Sequence, residues 1–258
     1  MSFNDITYEK DGSTALVTLN RPERRNALSL SMIEELTRCF RDVGADVNVR
    51  VAILRANGPA FSAGHDLGEM VGRDGAFYRQ LFEACTTLME TIQGIPQPVI
   101  AQVHAIATAA GCQLVASCDL AVAAEEARFA TPGVKIGLFC STPMVALSRA
   151  VGARRAMEML LTGEAISAQE AQAAGLVNRV VPAAELASAT KAIAAKIAAS
   201  SPYVVAAGKA AFYRQVQMPQ PLAYDYAQDV MTMNAAAADA QEGMKAFLEK
   251  RRPKWCGR

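Results

Sequence analysis

An α/β fold with a largely parallel sheet and a helical tail follows from three features of this 258-residue chain. Short apolar, β-branched segments alternate with helical periodicity between residues 51 and 130, the pattern of strands joined through crossover helices. One such segment, Val99 to Val103, runs toward the small-residue turn Ala107-Thr108-Ala109-Ala110-Gly111, which opens a helix through Cys112-Gln113-Leu114. Beyond Pro182 only long, Ala-rich helical patterns remain.

The elements follow in order. Thr7-Tyr8-Glu9 alternates, Asp11-Gly12 supplies a turn and Ala15 to Leu19 returns, which reads as a β-hairpin ended by Asn20-Arg21-Pro22. Ser29 or Ser31 is placed to cap a helix that carries Met32, Ile33, Leu36 and Phe40 at three- and four-residue spacing. Val51-Ala52-Ile53-Leu54 is a short buried strand and Asn57-Gly58-Pro59 a turn. Next come a helix over about 76–93, a strand at 99–103, a helix at 111–117 and strands at 119–123 and 127–130. Short helices fill 143–175, broken at Gly152 and Gly163, with Ser167 capping the last; 177–181 is a further strand. Three helices, 185–199, 203–217 and 222–249, make the tail, divided by Ser200-Ser201-Pro202 and Met218-Pro219-Gln220-Pro221.

Composition bounds the function. A 52% hydrophobic chain of this length buries a large core, and a net charge of +1 gives no basis for a nucleic-acid or membrane surface. The polar start MSFNDITYEKDG has neither a signal-peptide core nor an Arg-rich transit pattern, and no apolar run reaches the roughly eighteen residues of a spanning helix. A soluble, cytoplasmic protein is the expectation. Six scattered cysteines without a C-x-x-C pair read as buried thiols, and two histidines without metal spacing predict no metal site.

The turn before Cys112 aims backbone N–H groups at whatever sits above it, which favours developing negative charge. Yet the first polar side chain inside that helix is Gln113, a neutral amide. The chain builds an anion site and leaves out a proton carrier beside it.

Six segments in order resemble the crotonase (enoyl-CoA hydratase/isomerase) superfamily over essentially the full length. They are Leu19-Asn20-Arg21-Pro22 with Asn26-Ala27-Leu28; Phe61 to Leu67; Pro98-Val99-Ile100-Ala101 through Gly111-Cys112 and Cys118-Asp119; Leu161-Thr162-Gly163; Ile166-Ser167-Ala168; and Ala174-Gly175-Leu176-Val177. The run Phe129 to Pro143 resembles one branch in particular, that of enoyl-CoA hydratase domain-containing protein 3. The resemblance implies a crotonase-like spiral of ββα units, residues 1–190, and a helical C-terminal region, 191–258, used to form a homotrimer or a dimer of trimers. It implies an acyl-CoA thioester as ligand, with coenzyme A part of the substrate and no prosthetic group.

In that family a thioester oxygen rests between two backbone N–H groups, and the matching positions here are His65 and Ala110. Each such donor contributes about a hundred- to a thousandfold in rate. Hydrating members add two glutamates, whose matching positions are Gln113 and Gly133. Neither exchanges a proton. A positioned acid or base contributes about 10²–10⁴, so ordinary hydration is not expected, and restoring both carboxylates should raise it more than restoring either. Cys140 and Ser141 lie where some isomerase relatives carry an extra carboxylate; a packed thiol and a turn serine are the alternative. His65, in a loop where methylmalonyl-CoA decarboxylase also has a histidine, offers a second reading as a carboxyacyl-CoA decarboxylase-like lyase. Its ring would then face the acyl group, unless it contacts Asp66 or solvent. A non-catalytic acyl-CoA binder is the third. His104 reads as a satisfied turn residue. For the CoA moiety the resemblance points to Arg24, Arg25 and Ala63, and to Phe247 and Lys250 from a neighbouring subunit.

Overall fold

The computed structural model describes residues 3–258; Met1 and Ser2, the start of the polar opening, lie outside the described residues. Strands β1 (Ile6–Asp11) and β2 (Thr14–Leu19) form the antiparallel hairpin, with Asp11 opposite Thr14. Ser29, rather than Ser31, caps α1 (Leu30–Ala45): its Oγ accepts the Met32 N–H at 3.1 Å, and Met32, Ile33, Leu36 and Phe40 form the buried face.

The chain then winds through ββα turns. The first is β3 (Val51–Ala56), β4 (Ala60–Ser62), the single-turn α2 (Leu67–Met70) and α3 (Gly75–Gly94). The second is β5 (Val99–Val103), β6 (Ile106–Thr108) and α4 (Ala110–Ser117); the third is β7 (Leu120–Ala124), β8 (Arg128–Ala130), α5 (Pro143–Val151) and α6 (Ala153–Thr162). After them come β9 (Ile166–Ser167), α7 (Ala168–Ala173) and β10 (Arg179–Val181). Each turn gives its first strand to a six-stranded sheet, β1-β2-β3-β5-β7-β10, and its second to a four-stranded sheet, β4-β6-β8-β9. The crotonase-like spiral is therefore present. Of the small sheet the sequence reading has only the strand at 127–130, which is β8; the other strands are two or three residues long, too short to show a period. Ala107-Thr108, read as turn, belongs to β6.

The large sheet is buried on both faces, which is why its strands read as near-continuous apolar runs. Ala15, Val17, Ala52, Leu54, Val99 and Ala101 face the main core; Leu16, Val51, Ile53, Ile100 and Val122 face α8 (Leu186–Ala198) through Leu186, Ile193 and Ala194. Residue 190, the expected division between core and tail, falls inside this helix.

The tail is α9 (Pro202–Gln215), α10 (Gln220–Ala236) and α11 (Ala238–Leu248). The single helix expected over 222–249 divides at Ala237, whose backbone is extended (φ −65°, ψ 149°). Nothing in its alanine-rich surroundings breaks a helix. The cause is tertiary: the buried Asp239 carboxylate accepts from Ser201 Oγ at 2.6 Å and from the N–H groups of Cys256 and Gly257 at 2.6 and 2.9 Å. All six cysteines are free thiols and only Cys256 is exposed. Among the described residues no cluster of His, Cys, Asp and Glu is arranged to hold a metal, and no helix is long and apolar enough to cross a membrane.

Candidate active site

Three loops meet above the C-terminal ends of the parallel strands. The first is organised by Asn26, which is fully buried and, like Arg25, sits at φ 51°. Its Oδ1 accepts the Arg21 N–H at 2.8 Å, and its Nδ2 donates to the carbonyls of Asn57 and Ala60 at 2.8 and 2.9 Å. An amide side chain that satisfies three backbone groups offsets the cost of the left-handed backbone. Arg24 and Arg25 lie exposed on this loop, and Ala63 is exposed beside it, its N–H donating to the Arg25 carbonyl at 3.0 Å. Arg24, Arg25 and Ala63 are thus brought to one rim.

The second loop carries His65. Its backbone bridges Leu28, with the Leu28 N–H donating to Gly64 O at 2.7 Å and the Asp66 N–H to Leu28 O at 3.1 Å. Among the described residues the His65 N–H has no acceptor. Neither ring nitrogen has a partner, and the ring stands edge-on to Phe82 of α3 with centroids 5.5 Å apart. Burial pushes the imidazole down to about 4, so the ring is neutral at physiological pH. Asp66 does not pair with it: that carboxylate caps α2 through the Gly68 N–H at 3.0 Å and meets Arg21 at 3.4 Å. Glu69 is engaged too, accepting the Leu30 N–H at 3.0 Å.

The third loop is the entry to α4. Ala109, at φ 49° and ψ −117°, occupies a region that glycine adopts readily and an L-residue does not. Sequence reasoning missed it, because an alanine carries no signal for such a conformation. The Ala109 N–H donates to Ala130 O at 2.9 Å, which leaves the Ala110 N–H, at the start of the helix, without an acceptor among the described residues. Close packing sets this turn against the His65 loop: a Cβ on Gly64 would lie 2.9 Å from Ala109 Cβ and 3.4 Å from Ala110 N. A Cβ on Gly111 would lie 2.6 Å from Ser62 O, so glycine is required there and alanine is tolerated one residue earlier.

Gln113 is 5% exposed, and its Oε1 is buried without a donor. Thr131, wholly buried, likewise has an unpartnered Oγ1; nothing in the sequence singled it out. Gly133 is buried in a one-turn 3₁₀ segment, where a Cβ would overlap the Leu138 carbonyl and lie 2.8 Å from Cys140 Sγ. Cys140 is buried, whereas Ser141 is exposed and bonds only locally, donating to Phe139 O at 3.3 Å. His104 is satisfied by the Gly58 carbonyl at 2.8 Å, as a turn residue should be. Phe247 and Lys250 stand apart from the rest: Phe247 is 84% exposed, and both lie at the end of α11, which packs on α9 and α10.

The enoyl-CoA hydratase/isomerase family model matches residues 9–258. Enoyl-CoA hydratase domain-containing protein 3 of Xenopus laevis is 52% identical over 93% of this chain and 82% of its own length. The crystal structure of the human protein of that name superposes with a TM-score of 0.95 at 47% identity, covering 98% of this chain and all of the other. An enoyl-CoA hydratase structure from Mycobacterium smegmatis gives 0.96 at 50% identity, covering 98% and 99%. The expectation of a cytoplasmic protein is overturned by these relatives: those of X. laevis, rat, mouse, human and zebrafish, 48–52% identical, are named as mitochondrial. Compartment is written in address segments, not in the composition of a fold. With its family model, its relatives and its fold in agreement, the chain belongs to the enoyl-CoA hydratase/isomerase (crotonase) family, in the branch of enoyl-CoA hydratase domain-containing protein 3.

Proposed function

We propose that the chain binds an acyl-CoA thioester, polarises its carbonyl between the N–H groups of His65 and Ala110, and lacks the acid–base pair of a hydratase. One observation carries this reading. Two main-chain donors in facing loops have no acceptor of their own, while the positions that would move protons hold Gln113 and a glycine with no room for a side chain. Donors fixed in advance favour charge that develops on the thioester oxygen. No replacement acid or base stands nearby: Asp66 and Glu69 are engaged elsewhere, His65 is neutral, and burial pushes the Cys112 thiol up to about 12.

The same facts favour polarisation without proton transfer, which keeps a non-catalytic acyl-CoA binder as the second reading. They weigh against a lyase that needs His65 as a cation. Arg24, Arg25 and Ala63 would receive the nucleotide end of coenzyme A. Phe247 and Lys250, remote within one protomer, would do so from a neighbouring copy. A homotrimer, alone or paired, also accounts for the apolar side chains that α9 and α10 leave exposed on the protomer, Phe212, Leu222 and Met231. We place the division between spiral and tail after α8.

Equilibrium dialysis with butyryl-CoA, run beside crotonyl-CoA hydration, tests the reading. Binding with hydration far below that of a dedicated hydratase assayed in parallel supports it. Absence of binding, or hydration at the dedicated enzyme's rate, overturns it.

A further inference from the structure

Helix α3 has two unlike faces. Leu81, Cys85, Leu88, Met89 and Ile92 are buried in the core. The outer face carries Gly75, Arg79, Phe82, Glu83, Thr86 and Thr87 at three- and four-residue spacing, and these line an open groove of about 550 Å³. That volume lies within the range of small-molecule sites. Phe82 joins the groove to the candidate site, because its ring is the one that meets the His65 imidazole edge-on at 5.5 Å. An acyl group whose carbonyl rests on the His65 N–H therefore has this groove one side chain away.

The lining is wrong for a hydrocarbon tail. Phe82 is its one large apolar side chain and is half-buried, while Arg79, Glu83, Thr86 and Thr87 are exposed. Methylene groups laid along such a wall lose little contact with water and gain little from burial. Arg79 offers something else. Among the described residues its guanidinium has no ion-pair partner, and Glu83, one turn away, does not pair with it. A planar fork of free N–H donors matches a carboxylate, and on an open wall that carboxylate keeps part of its hydration. The other charges at this end of α3 are committed. Asp74 caps the helix through the Phe77 N–H at 2.9 Å, and Arg73 lies over the Phe77 ring at 4.8 Å.

We propose that Arg79 selects acyl groups that end in a second carboxylate, so that the preferred ligand is the mono-CoA thioester of a dicarboxylic acid. Its thioester carbonyl lies between the His65 and Ala110 amides, and its far carboxylate reaches the Arg79 guanidinium past Phe82. The inference rests on the acyl-CoA reading above and names its substrate class. Glu83, on the same wall, opposes the incoming charge and limits the preference.

Equilibrium dialysis of adipyl-CoA beside hexanoyl-CoA, acyl groups of equal carbon count that differ at the terminus, tests the proposal. Adipyl-CoA should bind about fivefold more tightly, near the top of what an exposed charge pair supplies, and the preference should shrink at high ionic strength. Arg79→Gln should abolish the preference while leaving hexanoyl-CoA affinity unchanged, and Glu83→Gln should widen it. Equal binding of the two thioesters by wild type, or a preference that survives Arg79→Gln, overturns the assignment and leaves the acyl-CoA reading standing. If neither thioester binds, that reading fails, and the role of Arg79 fails with it.

Discussion

Lys209 Nζ and Asp119 Oδ2 meet at 2.7 Å, with only 6% and 14% of their side chains exposed. The ammonium also donates to the carbonyls of Ile92 and Gln97 at 2.8 and 2.9 Å, and Tyr213 OH donates to the other carboxylate oxygen at 2.9 Å. Every donor on the ammonium is used, which is the condition under which a buried ion pair is tolerated. The pair ties α9 to β5 and β7, since Asp119 Oδ2 also accepts the Val99 N–H at 2.7 Å.

Removing one partner leaves the other charge buried and alone. Lys209→Met should destabilise the fold by about 3–5 kcal/mol, read as a lower urea midpoint. Lys209→Met with Asp119→Leu should recover part of that loss. A single variant as stable as wild type would show that α9 is held by its apolar contacts instead.

Asp239 predicts acid sensitivity confined to the C-terminus. Burial alone would raise its carboxyl, but hydrogen bonds from Ser201, Cys256 and Gly257 outweigh it and hold the group at about 2. A folded value below the unfolded 3.8 means that the stabilisation is full above about pH 4 and is lost as pH falls toward about 2. The only tryptophan, Trp255, donates to Ala199 O at 2.8 Å beside this clamp. Its fluorescence should therefore change across that window in wild type. In Asp239→Asn the pH-dependent step should vanish.

Much of this was legible in the residues, and the limits have physical causes. Hairpin, cap and core strands follow from alternation and capping chemistry, as Ser29 and the β5 run show. The break at Ala237 does not, because a buried carboxylate two residues on draws the chain out of a helix that propensity alone would continue. The positions of His65, Ala110, Gln113 and Gly133 came through resemblance. Their surroundings, above all the strained Ala109 and the orphaned Thr131, depend on loops brought together from distant parts of the chain.

Neighbouring small residues in the α4 turn should respond in opposite ways. Ala109→Gly relieves a backbone strain of about 1–3 kcal/mol and gives back about 0.4–1 kcal/mol in unfolded-state entropy, so its melting temperature should match or exceed wild type. Gly111→Ala drives a methyl to within 2.6 Å of Ser62 O and should cost about 1–3 kcal/mol. Equal destabilisation by both would contradict the strain assigned to Ala109.

Restoring the hydratase carboxylates one at a time separates the two positions. From the sequence, Gln113→Glu combined with Gly133→Glu should outperform either change. The structure reverses that expectation, because any side chain at 133 meets the Leu138 carbonyl and the Cys140 sulfur. This loop is closed on itself as well, the Leu138 N–H donating to Gly133 O at 2.9 Å. Gln113→Glu should raise crotonyl-CoA hydration by about 10², the lower end of what one positioned acid or base supplies. Gly133→Glu should lower thermal stability and add no activity, and the double variant should be no faster than Gln113→Glu alone. A double variant faster than both singles would mean that the loop opens to admit the glutamate, and the packing of Cys140 against Gly133 would then not bar a side chain at that position.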